Sequence, residues 1–243
     1  KVGCISVMGG ALDVPGNTSP TGEFNFFADP WAAKVLLEDA TLDGRRLPIH
    51  LLPLDTTTKH TVPYSHIMMD ESSELYKKNY LFRLITHFLR KPRSVTNSFA
   101  PPNVPFDPAK YDLFEAHDPL AVAHAIFYTD AELWGDTERP FLVETDGRHT
   151  RGFCVVDRRQ QGEEYDGRNK AEVEAERGPK NEYGLSSSST TPAKRKADDK
   201  PVTPPVPSTR VVTKTPGSAW FEHLMLGRLG MQLSLIHISE PTR

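Results

Sequence analysis

The sequence predicts an α/β layer fold: a mostly parallel central sheet with flanking helices. Three observations predict it. Short apolar runs without alternation read as strands covered on both faces. Asp-Pro pairs open helical patterns between them. Strand and helix patterns then follow one another along the chain, the order that builds parallel sheets. With 243 residues the chain is one large domain or two small ones, long enough to bury a core. Its 37% hydrophobic content, 21 prolines and mean hydropathy of -0.47 place part of it outside any core. Lys+Arg 29 against Asp+Glu 32 leaves a net charge of -3, with no electrostatic bias toward nucleic acid or a membrane surface. No apolar run approaches the roughly 18 residues of a membrane span. Cys4 and Cys154 are too few for a disulfide framework or a zinc site, which favours a reducing, cytoplasmic setting.

The elements follow in order. Val2–Met8 is an apolar strand, entered at once and without the n-region of a signal peptide. A Gly/Pro/Asn-rich loop runs from Gly9 to about Asn25. Asp29 as N-cap and Pro30 at N1 open a helix that Gly44 stops. Pro48–Leu54 is a second buried strand, followed by the polar Thr56–Thr58. Leu75, Leu81, Leu84, Ile85 and Phe88 are spaced for a helix over 70–91, and the proline-bearing stretch 92–110 reads as loop. Asp118-Pro119 repeats the Asp-Pro helix start. Pro140–Thr145 and Thr150–Asp157 are strands joined through Asp146-Gly147.

From about Arg159 to Ser208 charges of both signs, Ser186–Ser189 and Pro204–Pro207 leave almost nothing to bury. The expected organisation is a domain over 1–158, a disordered low-complexity insertion over 159–208, and a strand and helix over 209–232 that rejoin the domain. Within the insertion, Lys194–Lys196 is the one patch that would favour nuclear entry. The last residues, 233–243, are expected to be translated sequencing-adapter sequence and carry no weight in the fold. The chain is expected to be a segment of a longer protein.

In parallel α/β sheets ligands bind beyond the carboxyl ends of the strands, which directs attention to the loop after Met8 and to the start of the helix at Asp118. The loop carries Asn17, Glu23 and Asn25. Two amides and a carboxylate can donate to and accept from several hydroxyls, as a sugar requires. In an extended segment Glu23 and Asn25 would face the same way. The same residues also suit an ordinary surface turn. His117-Asp118 is likewise open to two readings: Asp118 as a helix cap with His117 merely preceding it, or His117 as a proton donor beside an oxygen ligand for a divalent cation.

Taken together these segments are more specific. "MGGA…GN-x-x-P-x-x-EFN-x-x-x-DP-x-AA" is followed about ninety residues on by "HDPLAVA". With "VETDGRHTRGFCVVDRR" at Val143–Arg159 and "VVTKTPGSAWFEHLML" at Val211–Leu226, the set resembles the inosine/uridine-preferring nucleoside hydrolases, in their fungal rather than bacterial form. The resemblance implies a Rossmann-like open sheet and hydrolysis of ribonucleosides to ribose and free base. It implies that Asn17, Glu23 and Asn25 hold the ribose hydroxyls with Met8 packed near the sugar. Asp118 would bind Ca²⁺ and a ribose hydroxyl, and His117 would act as general acid. Tyr64, His66 and the helix from Asp70 would fall where the family carries a lid over the base. The substrate is then a nucleoside, with no nucleic-acid or membrane partner, and the assemblies suggested are dimers or tetramers.

One departure is serious. The family's aspartate-rich "D-x-D-P-G-x-D-D" loop, which supplies most Ca²⁺ ligands and the proposed general base, is not in these residues. The fold is therefore expected to be incomplete at the N-terminus. These residues alone are expected to be inactive, the longer parent being a Ca²⁺-dependent hydrolase. Two alternatives stand beside it: a non-catalytic ribose- or nucleoside-binding protein of the same fold, and a hydrolase of a related N-riboside.

Overall fold

A computed structural model describes residues 2–39, 41–42, 45–156 and 208–230. The insertion expected over 159–208, apart from Ser208, and with it Lys194–Lys196, lies outside the described residues, as does the tail 233–243.

The central sheet has five strands among the described residues: β1 (Ile5–Met8), β4 (Ile49–Leu52), β9 (Ser208–Lys214), β7 (Gly135–Val143) and β8 (Cys154–Val156), in that spatial order. β1, β4 and β9 run parallel, while β7 and β8 add an antiparallel edge. β7 begins at Gly135, five residues before the expected Pro140, because its outer half pairs with β9 from Lys214 to Ser208. Two separate antiparallel pairs complete the strands: β2 (Thr41–Leu42) with β3 (Arg45–Arg46), and β5 (Thr61–Pro63) with β6 (Leu113–Glu115), the latter joined across some fifty residues of chain.

Apolar runs without alternation make sense here because both faces of the sheet are covered. Consecutive residues divide between two cores: Leu51 and Val211 join Leu12, Phe26, Phe141 and Cys154 on one face. Leu52 and Val212 join Tyr64, Leu120, Trp134, Phe221 and Leu226 on the other. The first face carries helices α1 (Phe24–Ala28) and α2 (Pro30–Lys34), the latter widening into a π turn at Val35–Asp39. The second carries α8 (His117–Phe127) and α9 (Ser218–Arg228). Between them in sequence lie α3 (Leu54–Thr57), α4 (Tyr64–Ile67), α5 (Glu74–Lys78), α6 (Tyr80–Ser98) and α7 (Pro108–Tyr111).

Two expectations are corrected. The helix expected over 70–91 is split at Asn79, whose side chain caps α6 through the Leu81 N–H. α6 then passes through Pro92 to Ser98, so the expected loop starts later. A proline inside a helix removes one backbone bond. Here the turns beyond it are held from outside: Arg93 makes two bonds of 2.7 and 2.6 Å to buried Asp112, and Thr96 meets the Tyr64 hydroxyl. The polar segment after the second strand lies in the helical turn α3, with Thr58 as its C-cap, and the Thr56 hydroxyl donates to the Val212 carbonyl at 2.6 Å.

Ser6 on β1 and His50 on β4 share a register position and face His124 of α8. Ser6 Oγ lies 3.0 Å from His124 Nδ1, and His50 sits 3.2 Å from the Asp136 carboxylate. Burial, reinforced by His50, pulls His124 down to about 4, and burial lowers His50 despite Asp136. No helix among the described residues is long and apolar enough to cross a membrane.

The unfolded chain takes up the His124 proton first, since its histidine titrates near 6.5 against about 4 in the fold. The stability due to neutral His124 should therefore be complete above pH 6.5 and be lost as pH falls toward 4. Urea midpoints measured across that range should decline, and less steeply in His124→Gln.

Candidate functional site

β1 ends at Met8 and delivers Gly9-Gly10 to the carboxyl edge of the sheet. Gly10 has φ +76, and a Cβ there would meet Cys154 Sγ and the Phe26 ring at 3.0 Å, so the turn needs glycine. From here two arms diverge, and Gly10 anchors both. Its N–H donates to Glu23 Oε2 at 2.8 Å, and its carbonyl accepts from the Leu54 N–H at 2.9 Å.

In the first arm, Glu23 is 1% exposed and is the N-cap of α1. Its carboxylate accepts from the N–H groups of Gly10, Asn25 and Phe26. The expectation that Glu23 and Asn25 share one side of an extended segment is therefore corrected: Glu23 is extended, but Asn25 lies in the first helical turn. Capping turns Glu23 inward and leaves Asn25 exposed. Asn25 Nδ2 reaches back to Met8, 3.3 Å from its carbonyl and 3.2 Å from its sulfur. Asn17 is also exposed, and its Oδ1 accepts from the Phe24 N–H at 2.9 Å. The structure thus gathers Met8, Asn17, Glu23 and Asn25 around the start of α1.

The second arm runs through α3. Asp55 accepts from the N–H groups of Leu12 and Asp13 at 2.9 and 2.7 Å, tying α3 to the glycine loop. Thr57 is fully buried, and its hydroxyl lies 2.8 Å from His117 Nδ1. On the other side of the ring, Glu115 Oε2 lies 3.1 Å from Nε2. Thr57 and Glu115 were missed by sequence reasoning. The threonines read only as a polar run, although Glu115 stands two residues before His117 in a strand-like stretch.

Asp118 does not cap α8. The helix starts at His117, two residues earlier than that cap would place it, with Ala116 as N-cap and no side-chain cap bond, and the Ala116 N–H is tied to the His60 carbonyl at 3.2 Å. Asp118 is left exposed in the first turn, without a hydrogen bond or ion pair among the described residues. It borders a groove of about 460 Å³ between α6, α8 and α9, walled by Ile85, Val122, Phe127, Leu224 and Met225. Met8 packs on the core that contains Ala116, Leu120 and Ala121, which brings the end of β1 beside the start of α8. No described contact joins His117 or Asp118 directly to Asn17, Glu23 or Asn25.

Calcium takes six to eight oxygen ligands. Among the described residues no group of three or more metal-capable side chains is assembled. Both Glu23 oxygens are engaged by backbone N–H groups, and Glu115 faces His117, which leaves Asp118 as one available carboxylate. These residues alone do not fit a calcium ion. His60 serves packing: it is buried between the Thr56 carbonyl and the Thr215 hydroxyl, and burial lowers its pKa. His66, placed by the resemblance on a lid, pairs with Glu222 of α9 at 2.5 Å.

Glu23→Ala should leave the N–H groups of Gly10, Asn25 and Phe26 without their acceptor. We expect a loss of about 3 kcal/mol in urea unfolding, and Glu23→Gln, which keeps one carbonyl oxygen, should lose less.

Comparisons with known proteins bear on this arrangement. Residues 1–182 match the family model described as inosine-uridine preferring nucleoside hydrolase. The pyrimidine-specific ribonucleoside hydrolase RihA of Salmonella arizonae is 29% identical over 157 residues, covering 65% of this chain and 43% of that protein. The protein of the same name from Escherichia coli K12 is 28% identical over 163 residues, with the same coverage of 65% and 43%. Among solved structures, a plant nucleoside hydrolase aligns with TM-score 0.59 at 16% identity, over 94% of this chain and 54% of that one. The purine-preferring ribonucleoside hydrolase of Gardnerella vaginalis aligns with TM-score 0.57 at 19% identity, over 93% and 52%. At such identities the structural matches speak for the fold. The chain spans less than half the length of the curated relatives it matches.

Proposed function

The chain belongs to the inosine-uridine preferring nucleoside hydrolase family, and from that premise we propose that it carries the ribose-holding and base-protonating half of a ribonucleoside N-glycosidase. The observation that supports this most is the common anchor of the two arms at Gly10. It ties exposed Asn17 and Asn25 on one side, and His117 through Thr57 on the other, to the carboxyl end of one strand.

Breaking the N-glycosidic bond sends its electron pair to the base and leaves an oxocarbenium-like sugar; water then attacks the anomeric carbon and gives up a proton. The two exposed amides supply donors and acceptors for the ribose hydroxyls, and their carbonyl oxygens favour the positive charge that develops on the ring. Met8 offers the sugar an apolar, polarisable floor. Glu23 contributes as the brace that fixes Gly10 and Asn25, its own oxygens facing the backbone. His117 gives a proton to the departing base. Asp118 is the open carboxylate for a ribose hydroxyl or for a metal completed by acidic residues from a longer protein. Calcium dependence is thus proposed for that protein and not for these residues. The free thiols of Cys4 and Cys154 agree with action in a reducing compartment such as the cytosol.

Base release from uridine and inosine tests this, comparing the 243-residue chain with a longer protein that includes the aspartate-rich sequence. The longer protein should release base and stop on chelation of calcium, and the chain alone should release none. Base release by the chain alone on adding calcium would overturn the half-site reading. In the longer protein Asn25→Ala should lower kcat/KM about 100-fold, the scale of losing one positioned polar group.

A further inference from the structure

His117 is held from two sides by elements distant in sequence. Thr57, at the end of α3, is fully buried with its hydroxyl 2.8 Å from Nδ1. Glu115, at the end of β6, places a carboxylate oxygen 3.1 Å from Nε2. The hydroxyl can donate or accept, but the carboxylate, when ionised, can only accept. A bare nitrogen lone pair at 3.1 Å from a carboxylate oxygen is repelled, whereas an N–H is attracted. Of the two neutral tautomers, only one satisfies both neighbours: hydrogen on Nε2, with Nδ1 accepting from Thr57.

We propose that Glu115 is a positioning residue that, with Thr57, orients the His117 ring and keeps hydrogen on Nε2. This rests on the reading of His117 as the group that protonates the base, and it names the nitrogen that does so: the ring, protonated also at Nδ1, gives its Nε2 proton to the base and is left neutral with hydrogen on Nδ1, which the Thr57 hydroxyl oxygen then accepts. Thr57 is locked by burial, and its carbonyl accepts from the His60 N–H at 3.0 Å, so the inner contact is rigid. Glu115 has a side chain 53% exposed, on a strand tied to β5 through Thr61. The outer contact is thus the one an entering base displaces, and Nε2 is the nitrogen it then meets. Thr57 holds the ring meanwhile.

The tautomer can be read without turnover. A long-range proton–nitrogen NMR spectrum of the 243-residue chain, taken above the ordinary histidine range, reports which ring nitrogen carries hydrogen. His117→Gln identifies the signal among the nine histidines. The wild-type ring should show the single Nε2–H form. Glu115→Ala and Thr57→Val should each convert it to a mixture, while Glu115→Gln and Thr57→Ser, which keep an acceptor and a hydroxyl, should retain it. A wild-type ring in the Nδ1–H form, or a ring indifferent to Glu115→Ala, would overturn the proposal. That outcome is separable from the functional reading: base release with a tautomer insensitive to Glu115 defeats only this inference, and the expected tautomer without base release in the longer protein defeats only the former.

Discussion

A buried carboxylate surrounded by backbone N–H groups organises this molecule's polar edge. Glu23 carries a charge into a place where almost no water reaches, which is tolerable only because three N–H groups point at it. The arrangement is reciprocal. The carboxylate starts α1, and the same atoms clamp Gly10 at the end of β1. Gly10 in turn holds α3 through Leu54, and α3 holds His117 through Thr57. A residue whose type suggests ligand binding thus acts on the site by deciding where the others stand.

Much of the fold was legible because the physics of its elements is local. Runs such as Ile49–Leu52 have no polar face, and a strand of that kind is stable only between two covered faces, as the division of Leu51 and Leu52 between the two cores shows. Asp29-Pro30 gave a helix start whose cap bond to Ala32 is present at 2.9 Å. Where reading failed, tertiary contacts outweighed local ones. Pro92 should end a helix, but a two-bond ion pair from Arg93 to Asp112 lies nineteen residues away in sequence and outside any local pattern. Asp118 has the residue type and the proline of an N-cap, but the helix is entered two residues earlier, at Ala116, whose N–H is bonded to His60, and Asp118 is left free.

The candidate site shows the same division. Which residues carry amides and carboxylates is visible in the sequence, and the motif order marks them out. Which of them face a ligand is not visible, because it depends on whether a side chain is consumed by the backbone. Glu23 and Asn25 differ by two positions yet face opposite ways, one inward as a cap and one outward against Met8. Thr57 and Glu115 had no motif to announce them. Their relation to His117 exists only because α3 and β6 meet around the ring, a pairing across sixty residues.

Among the described residues, the last strand in sequence is not at the edge of the sheet. β9 lies between β4 and β7, so the two halves of the sheet have no shared border until residues 208–214 arrive. During synthesis the parallel pair and the antiparallel pair must wait, each with an open side, while the chain between Val156 and Ser208 emerges. Closing the sheet is then a late event, and a chain that ends short of β9 keeps an open edge on both β4 and β7.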